Sequence, residues 1–208
     1  MIPEKPFAKA HQALAGAKLA TARMAAARSA DDREHEWRSF LNWIDQVLTK
    51  LAKGYRGFGG QIEPWIGAQV SIQRADPLLL YLAEARDADQ HTVGECVEVT
   101  PGRYEFTVPG TGPNGGAVHI ESLVVQNGRV VEYRGNAPAI ERVTPARMEV
   151  VAVTSRGRQY DPPEEHLGSP VESRDPLVLA GLAIRHYERL LTEFGESFGV
   201  ARDGRAKK

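Results

Sequence analysis

The chain has 208 residues, with 26 basic against 27 acidic side chains and a formal charge of −1, which excludes a polycation built to coat nucleic acid and leaves only a local basic patch open. A single cysteine, Cys96, excludes an internal disulfide and a cysteine-based zinc site. No run of about eighteen apolar residues occurs, and Lys9, His11, Lys18 and Arg23 break the alanine-rich start, so neither a membrane span nor a signal-peptide core is expected and the protein reads as cytoplasmic.

Residues 7–28 are dominated by Ala, Leu, Lys and Arg, strong helix formers that predict a first helix. Ser29 and Asp32 have the S-x-x-D spacing of a capping box, so a second helix is expected from about Asp31. Its apolar positions Trp37, Phe40, Leu41, Ile44, Val47, Leu48 and Leu51 fall at helical spacing and make one broad stripe. Gly54, Gly57, Gly59 and Gly60 end it. A third helical region is predicted over 64–90, restarted at Pro77 with Asp76 as its N-cap, and Leu78, Leu82 and Ala85 define one face.

After His91 the pattern switches to a period of two. "ECVEVT", "RYEFTV", "AVHIESLVV", "RVVEYRG" and "RMEVVAVT" alternate apolar and polar residues and are rich in β-branched and aromatic side chains. Asn127-Gly128, between two valine pairs, is the dipeptide that a two-residue type I′ hairpin requires. A small antiparallel sheet is therefore predicted over 95–156. "YDPPEEHLGSP" follows as a connecting loop that its prolines keep extended. Asp175-Pro176 repeats the cap-plus-proline start and opens a last amphipathic helix reaching about Phe194, with Leu179, Leu182, Ala183, His186, Tyr187 and Leu190 near one face. The tail "GVARDGRAKK" is expected to fray. The fold class is thus α+β, a four-helix unit whose last connection carries a β insertion.

Most candidate sites read better as structure. "GTGPNGG", residues 110–116, has G-x-G-x-x-G spacing, but it lies between two strand-like runs instead of leading from a strand into a helix, and it reads as a hairpin loop. The six histidines show no zinc spacing: His119 belongs to a strand face, His186 to the packed side of the last helix and His35 to a helix surface or a helix–helix contact. No metal and no cofactor is expected. Lys50, Lys53 and Arg56, with Arg23 and Arg28 upstream, suit the C-terminal dipole of a helix without a ligand. Tyr160, Asp161, Glu164, Glu165 and His166 share a proline-rich stretch that reads as a connection.

The remaining stretch is "EARDADQH". Arg86, four residues and His91 pair a permanent cation with the side chain that titrates near neutrality. Cleavage of an RNA phosphodiester uses those two abilities: a neutral imidazole takes the proton of a 2′-hydroxyl, and a guanidinium holds the negative charge that gathers on the phosphate. Neither step needs a metal. An ideal helix sets positions five apart at about 140° from each other, so convergence of this pair calls for a distorted turn or a second subunit.

With its helical surroundings, "DPLLLYLAEARDADQHT" resembles the HEPN superfamily, small helical proteins of prokaryotic defence and toxin systems, whose signature is Arg, four to six residues and His, with a polar residue after the arginine. Arg86, Asp87 and His91 match it, Asp87 standing where Asn is frequent, and the likeness covers about residues 7–92 and 175–195. The resemblance implies a four-helix HEPN-like bundle with a small antiparallel sheet inserted before the last helix: helices one to three in 1–92, the insertion and return loop in 93–172, the last helix and tail in 173–208. It also implies a metal-independent endoribonuclease, a toxin or defence effector, acting as a homodimer on RNA under an antitoxin or regulatory protein. Arg86 would bind or stabilise the phosphate, His91 would act as acid–base and Asp87 would orient one of them. The alternative within the family is a catalytically inactive binding or sensing module whose β insertion contacts a partner. Outside the family, the same residues are the wet end of a helix in an α+β structural or sensing protein, with Arg86 paired to Glu84, Asp87 or Asp89.

Overall fold

The computed structural model describes residues 2–91, 96–108, 110 and 115–200, and of His91 the backbone alone. The fold is α+β. Among the described residues there are five helices: α1 (Glu4–Ala26), α2 (Ala30–Gly54), α3 (Ile62–Ala75), α4 (Pro77–His91) and α5 (Pro176–Phe198). The fifth arises because the region read as one restarted helix is two, parted at Asp76, whose extended ψ of 123° ends α3 before Pro77 opens α4.

The chain divides into two units, one of residues 1–98 with 148–208 and one of residues 99–147. The first unit contains all five helices. Helix α1 packs along α2 with its alanines inward, burying Ala10, Ala13, Ala17 and Ala20 beside Phe7, Leu14 and Met24. Small side chains allow close approach: a Cβ on Gly16 would lie 2.5 Å from the Trp43 ring of α2. The expected stripe of α2, Trp37 to Leu51, is buried throughout. One end of the bundle closes on aromatic rings, with Phe194 of α5 within 5.4 Å of Phe7, Tyr55 and Trp65.

The helix starts are capped as their residues dictate. Ser29 Oγ accepts from the Asp32 N–H at 3.0 Å and donates to the Asp32 carboxylate at 2.6 Å. Asp175 accepts from the Leu177 N–H at 2.8 Å with Pro176 in the first turn. Ser29→Ala removes an exposed cap and is expected to cost about 1 kcal/mol in urea unfolding, with Ser29→Asp recovering most of it.

The β residues do not assemble into one sheet. They form separate two-stranded antiparallel ladders, and four of their strands lie wholly in the second unit: β2 (Arg103–Thr107), β3 (Ile120–Gln126), β4 (Arg129–Gly135) and β5 (Ile140–Thr144), paired β2–β5 and β3–β4. The β3–β4 turn is the one its dipeptide predicts, with positive φ at both Asn127 (49°) and Gly128 (74°). Strands β1 (Val97–Thr100) and β6 (Arg147–Val150) pair with each other, and the chain passes between the units within them.

Residues 148–172, grouped by sequence with the insertion, belong instead to the helical unit, because Met148, Val150 and Val153 bury there and the Val150 N–H bonds to Arg174 O at 2.9 Å. They carry two further hairpins, β7 (Val153–Ser155) with β8 (Arg158–Tyr160) and β9 (Glu165–His166) with β10 (Ser169–Pro170). The stretch "YDPPEEHLGSP" is therefore more than a connection. Its turn, Leu167-Gly168, has φ of 50° and 77°, the same left-handed pair as Asn127-Gly128 but with leucine in the first place. Among the described residues no helix is long and apolar enough to cross a membrane.

Candidate functional site at the end of helix four

Helix α4 buries Leu78, Leu79, Tyr81, Leu82, Ala85 and Ala88, which holds it against α2 and turns its charged residues toward the edge of that contact. Tyr81 anchors the helix further by donating to Val151 O at 2.7 Å. On the facing edge α2 carries Glu34, Arg38, Asn42 and Asp45, three or four positions apart and so on one side of a helix. The two edges meet as a ladder of polar pairs. Arg38 donates to Glu34 at 2.6 Å and forms an ion pair with Asp89 at 2.9 Å. Gln90 donates to Asn42 Oδ1 at 2.8 Å.

Arg86 lies in the same ladder. Its side chain is 28% exposed; one terminal nitrogen donates to Asp87 Oδ1 at 2.7 Å, and the other is 3.7 Å from Asp45 Oδ2. The second Asp87 oxygen accepts from Arg156, in the β7–β8 turn, at 2.6 Å. A bridging carboxylate thus joins two guanidinium groups, and both of its oxygens are engaged. Arg86 Nε is buried with no hydrogen-bond partner among the described residues. Burial pushes the Asp45 carboxyl above the usual carboxylate range; Arg86 opposes that shift and Asp87 adds to it.

Beside these groups a cleft of about 280 Å³ is lined by Asp45, Glu84 and Asp87 against Arg74 and Arg156. Its charge is mixed, with three carboxylates and two guanidinium groups on its walls. Such a surface orients polar groups at short range.

Of the sequence-derived trio, Arg86 and Asp87 are therefore brought together. The His91 side chain lies outside the described residues, although α4 continues to His91. The residues that spacing alone did not reveal are Asp45, Arg38 and Arg156, supplied by another helix and by a distant hairpin. A signal for the first two existed in the polar side of α2 next to its apolar stripe; Arg156 had none.

The other candidates fall as follows. Among the described residues, no group of three or more His, Cys, Asp or Glu is placed to hold a metal ion. His35 is exposed and His186 is buried, as expected of each. His119 directly precedes β3, its N–H donating to Asn136 Oδ1 at 2.7 Å. Cys96 is buried, and burial pushes its thiol up to about 11, which leaves it unreactive near neutrality. The glycine stretch 110–116 falls largely, and the tail 201–208 entirely, outside the described residues. Comparison with family models, with curated proteins and with solved structures gave no match for this chain.

Proposed function

We propose that the protein is a metal-independent endoribonuclease of HEPN type that works as a dimer in the cytoplasm, as a toxin or defence effector under an antitoxin or regulatory protein. Helices α1, α2, α4 and α5 would be its HEPN-like four-helix core, with the β2–β5 unit inserted before the last helix. The observation that carries the reading is the fixed placement of Arg86: half-buried on a helix, its guanidinium oriented by Asp87 and faced by Asp45. A cation held in advance stabilises developing charge without reorganising at the moment of reaction.

In this reading His91 takes the proton of a 2′-hydroxyl, whose oxygen attacks the adjacent phosphorus. The P–O5′ bond breaks, the leaving oxygen receives a proton from the partner's His91, and a 2′,3′-cyclic phosphate and a 5′-hydroxyl end result. Arg86 would hold the phosphate oxygens as their charge rises, and a two-fold dimer would supply the second imidazole.

A second reading keeps the family-like core and drops the chemistry. It is favoured by the neutralisation of Arg86 by two carboxylates, and by Val125, Val131, Ile140 and Val143 of the inserted unit, each more than half exposed. Here the insertion contacts a partner protein and the core is a binding or sensing module. The test is incubation of purified protein with end-labelled RNA in EDTA, beside His91→Ala and Arg86→Ala. Cleavage by the wild type that both variants lose is the expected result. Cleavage that persists unchanged in His91→Ala sinks the ribonuclease reading, and an inert wild type moves the assignment to the binding module.

A further inference from the structure

A second cluster lies within the helical unit but away from the C-terminal end of α4, in the groove between the β9–β10 hairpin and α5. This groove encloses about 280 Å³ and is lined by His166, Ser169 and Pro170 from the hairpin side and by Leu182, Arg185 and Arg189 from the helix. Arg185 and Arg189 are one turn apart, so their guanidinium groups emerge on the same side of α5. Neither has an ion-pair or hydrogen-bond partner among the described residues, and no carboxylate is among the described residues lining the groove. Glu188, on the same helix, is committed elsewhere, to Lys18 of α1. Three other arginines of the unit, Arg38, Arg86 and Arg156, hold carboxylates instead.

The hairpin wall is built rather than loose. Its ladder has only two residue pairs, too short to persist by itself, and its turn places Leu167 at φ 50°, a conformation costly for a residue with a side chain. A buried carboxylate holds it there: the Leu167 N–H donates to Asp76 Oδ2 at 2.6 Å, and His166 Nδ1 is 3.0 Å from Asp76 Oδ1. The His166 ring meets His186 edge-to-face, with centroids 5.8 Å apart. Strain held by buried anchors on the rim of a groove is what a preorganised ligand wall requires.

We propose that this groove binds a small phosphomonoester. Two guanidinium groups with free donors match the several oxygens of a dianionic phosphate better than the two of a carboxylate, and the Ser169 hydroxyl adds a donor from the opposite wall. Leu182 and Pro170 form an apolar surface that fits the organic part of the ester, and the volume is at the small-molecule end of binding cavities. The electrostatics agree: His186 is held neutral by its burial first and, beyond that, by its interactions with His166 and with the Arg189 cation. The site is independent of Arg86 and His91 and of whether the protein cuts RNA.

Isothermal titration of the full chain with phenyl phosphate, inorganic phosphate and benzoate tests this. The expected order is phenyl phosphate tightest, inorganic phosphate weaker and benzoate weakest, with Arg185→Ala and Arg189→Ala each lowering phenyl phosphate affinity about tenfold and the double variant losing it. Both positions are exposed on α5, so the variants keep their fold, which thermal unfolding verifies; Arg134→Ala, in the inserted unit, leaves binding unchanged. Wild-type protein that takes up no phenyl phosphate at millimolar concentration, or a double variant that binds like wild type, overturns the proposal. Equal affinity for inorganic and phenyl phosphate overturns the ester assignment and makes this a free-phosphate site.

Discussion

Asp76→Ala is expected to destabilise the helical unit by about 3 kcal/mol, more than any other single polar substitution at this junction. The side chain is 5% exposed and does three things at once. It caps α4, accepting from the Leu79 N–H at 2.8 Å. It holds the strained Leu167 turn through its second oxygen and meets the His166 ring through its first. Alanine loses the cap, worth about 1 kcal/mol, and also leaves the Leu167 N–H and the buried imidazole without their acceptor. In a domain of this size such a loss lowers the melting temperature by about 6–12 °C. Asp76→Asn keeps one acceptor oxygen and is expected to lose about half as much. Urea unfolding measures both, and hydrogen exchange at Leu167 reports whether the turn loosens first. A double-mutant cycle with His166→Ala is expected to show coupling above about 0.5 kcal/mol. A cost below about 1 kcal/mol for Asp76→Ala, with Leu167 exchange unchanged, would show that water satisfies the same groups and that Asp76 is only a surface cap.

Asp76 also shows how far this fold can be read from residues alone. Its role as N-cap before Pro77 is legible, because capping is a local rule that acts over three or four residues. So are the Ser29–Asp32 box, the Asn127-Gly128 turn and the buried stripe of α2, each set by short-range geometry or by a single periodicity. The hold of Asp76 on Leu167 is not legible, since the partners are 91 positions apart and leucine is no turn signal. For the same reason "EEHLGSP" reads as a connection, although a buried carboxylate supplies what its sequence lacks. Alternation along 95–156 correctly predicts strands but not their partners: separate two-stranded ladders and one sheet have the same period of two.

The candidate site divides along the same line. Arg86 and Asp87 are neighbours in the chain, and their pairing follows from adjacency. Asp45 and Arg156 reach them only through packing of α2 and of the β7–β8 turn on α4. Asp45 gives Arg86 a second carboxylate, and Arg156 takes the other oxygen of the Asp87 that orients it, so packing turns a paired cation into a positioned one.

Acidification is expected to unfold the helical unit through His186 before its surface charges matter. Its imidazole is buried beside His166 and Tyr187, and burial first, then its interactions with His166 and with the Arg189 cation, lower it from the ordinary 6.5 to about 4 against a smaller opposing pull from Asp76. A depressed histidine pKa means that the unfolded chain binds the proton more readily than the folded one between those two values. Stability from this group is therefore complete above about pH 6.5 and falls as the pH drops toward about 4, where about 3 kcal/mol has been lost. At about pH 4.5 the wild type is expected to be about 2–3 kcal/mol less stable than at about pH 7.5 from this residue alone. Carboxylates also lose their pairings in acid, so the informative quantity is a difference. His186→Leu keeps an apolar body in the same place and cannot titrate; its stability is expected to fall less over that interval, by the amount assigned to His186. Urea unfolding of both proteins at half-unit steps of pH reads that difference directly. Parallel curves for wild type and His186→Leu would remove His186 as the acid-sensitive group.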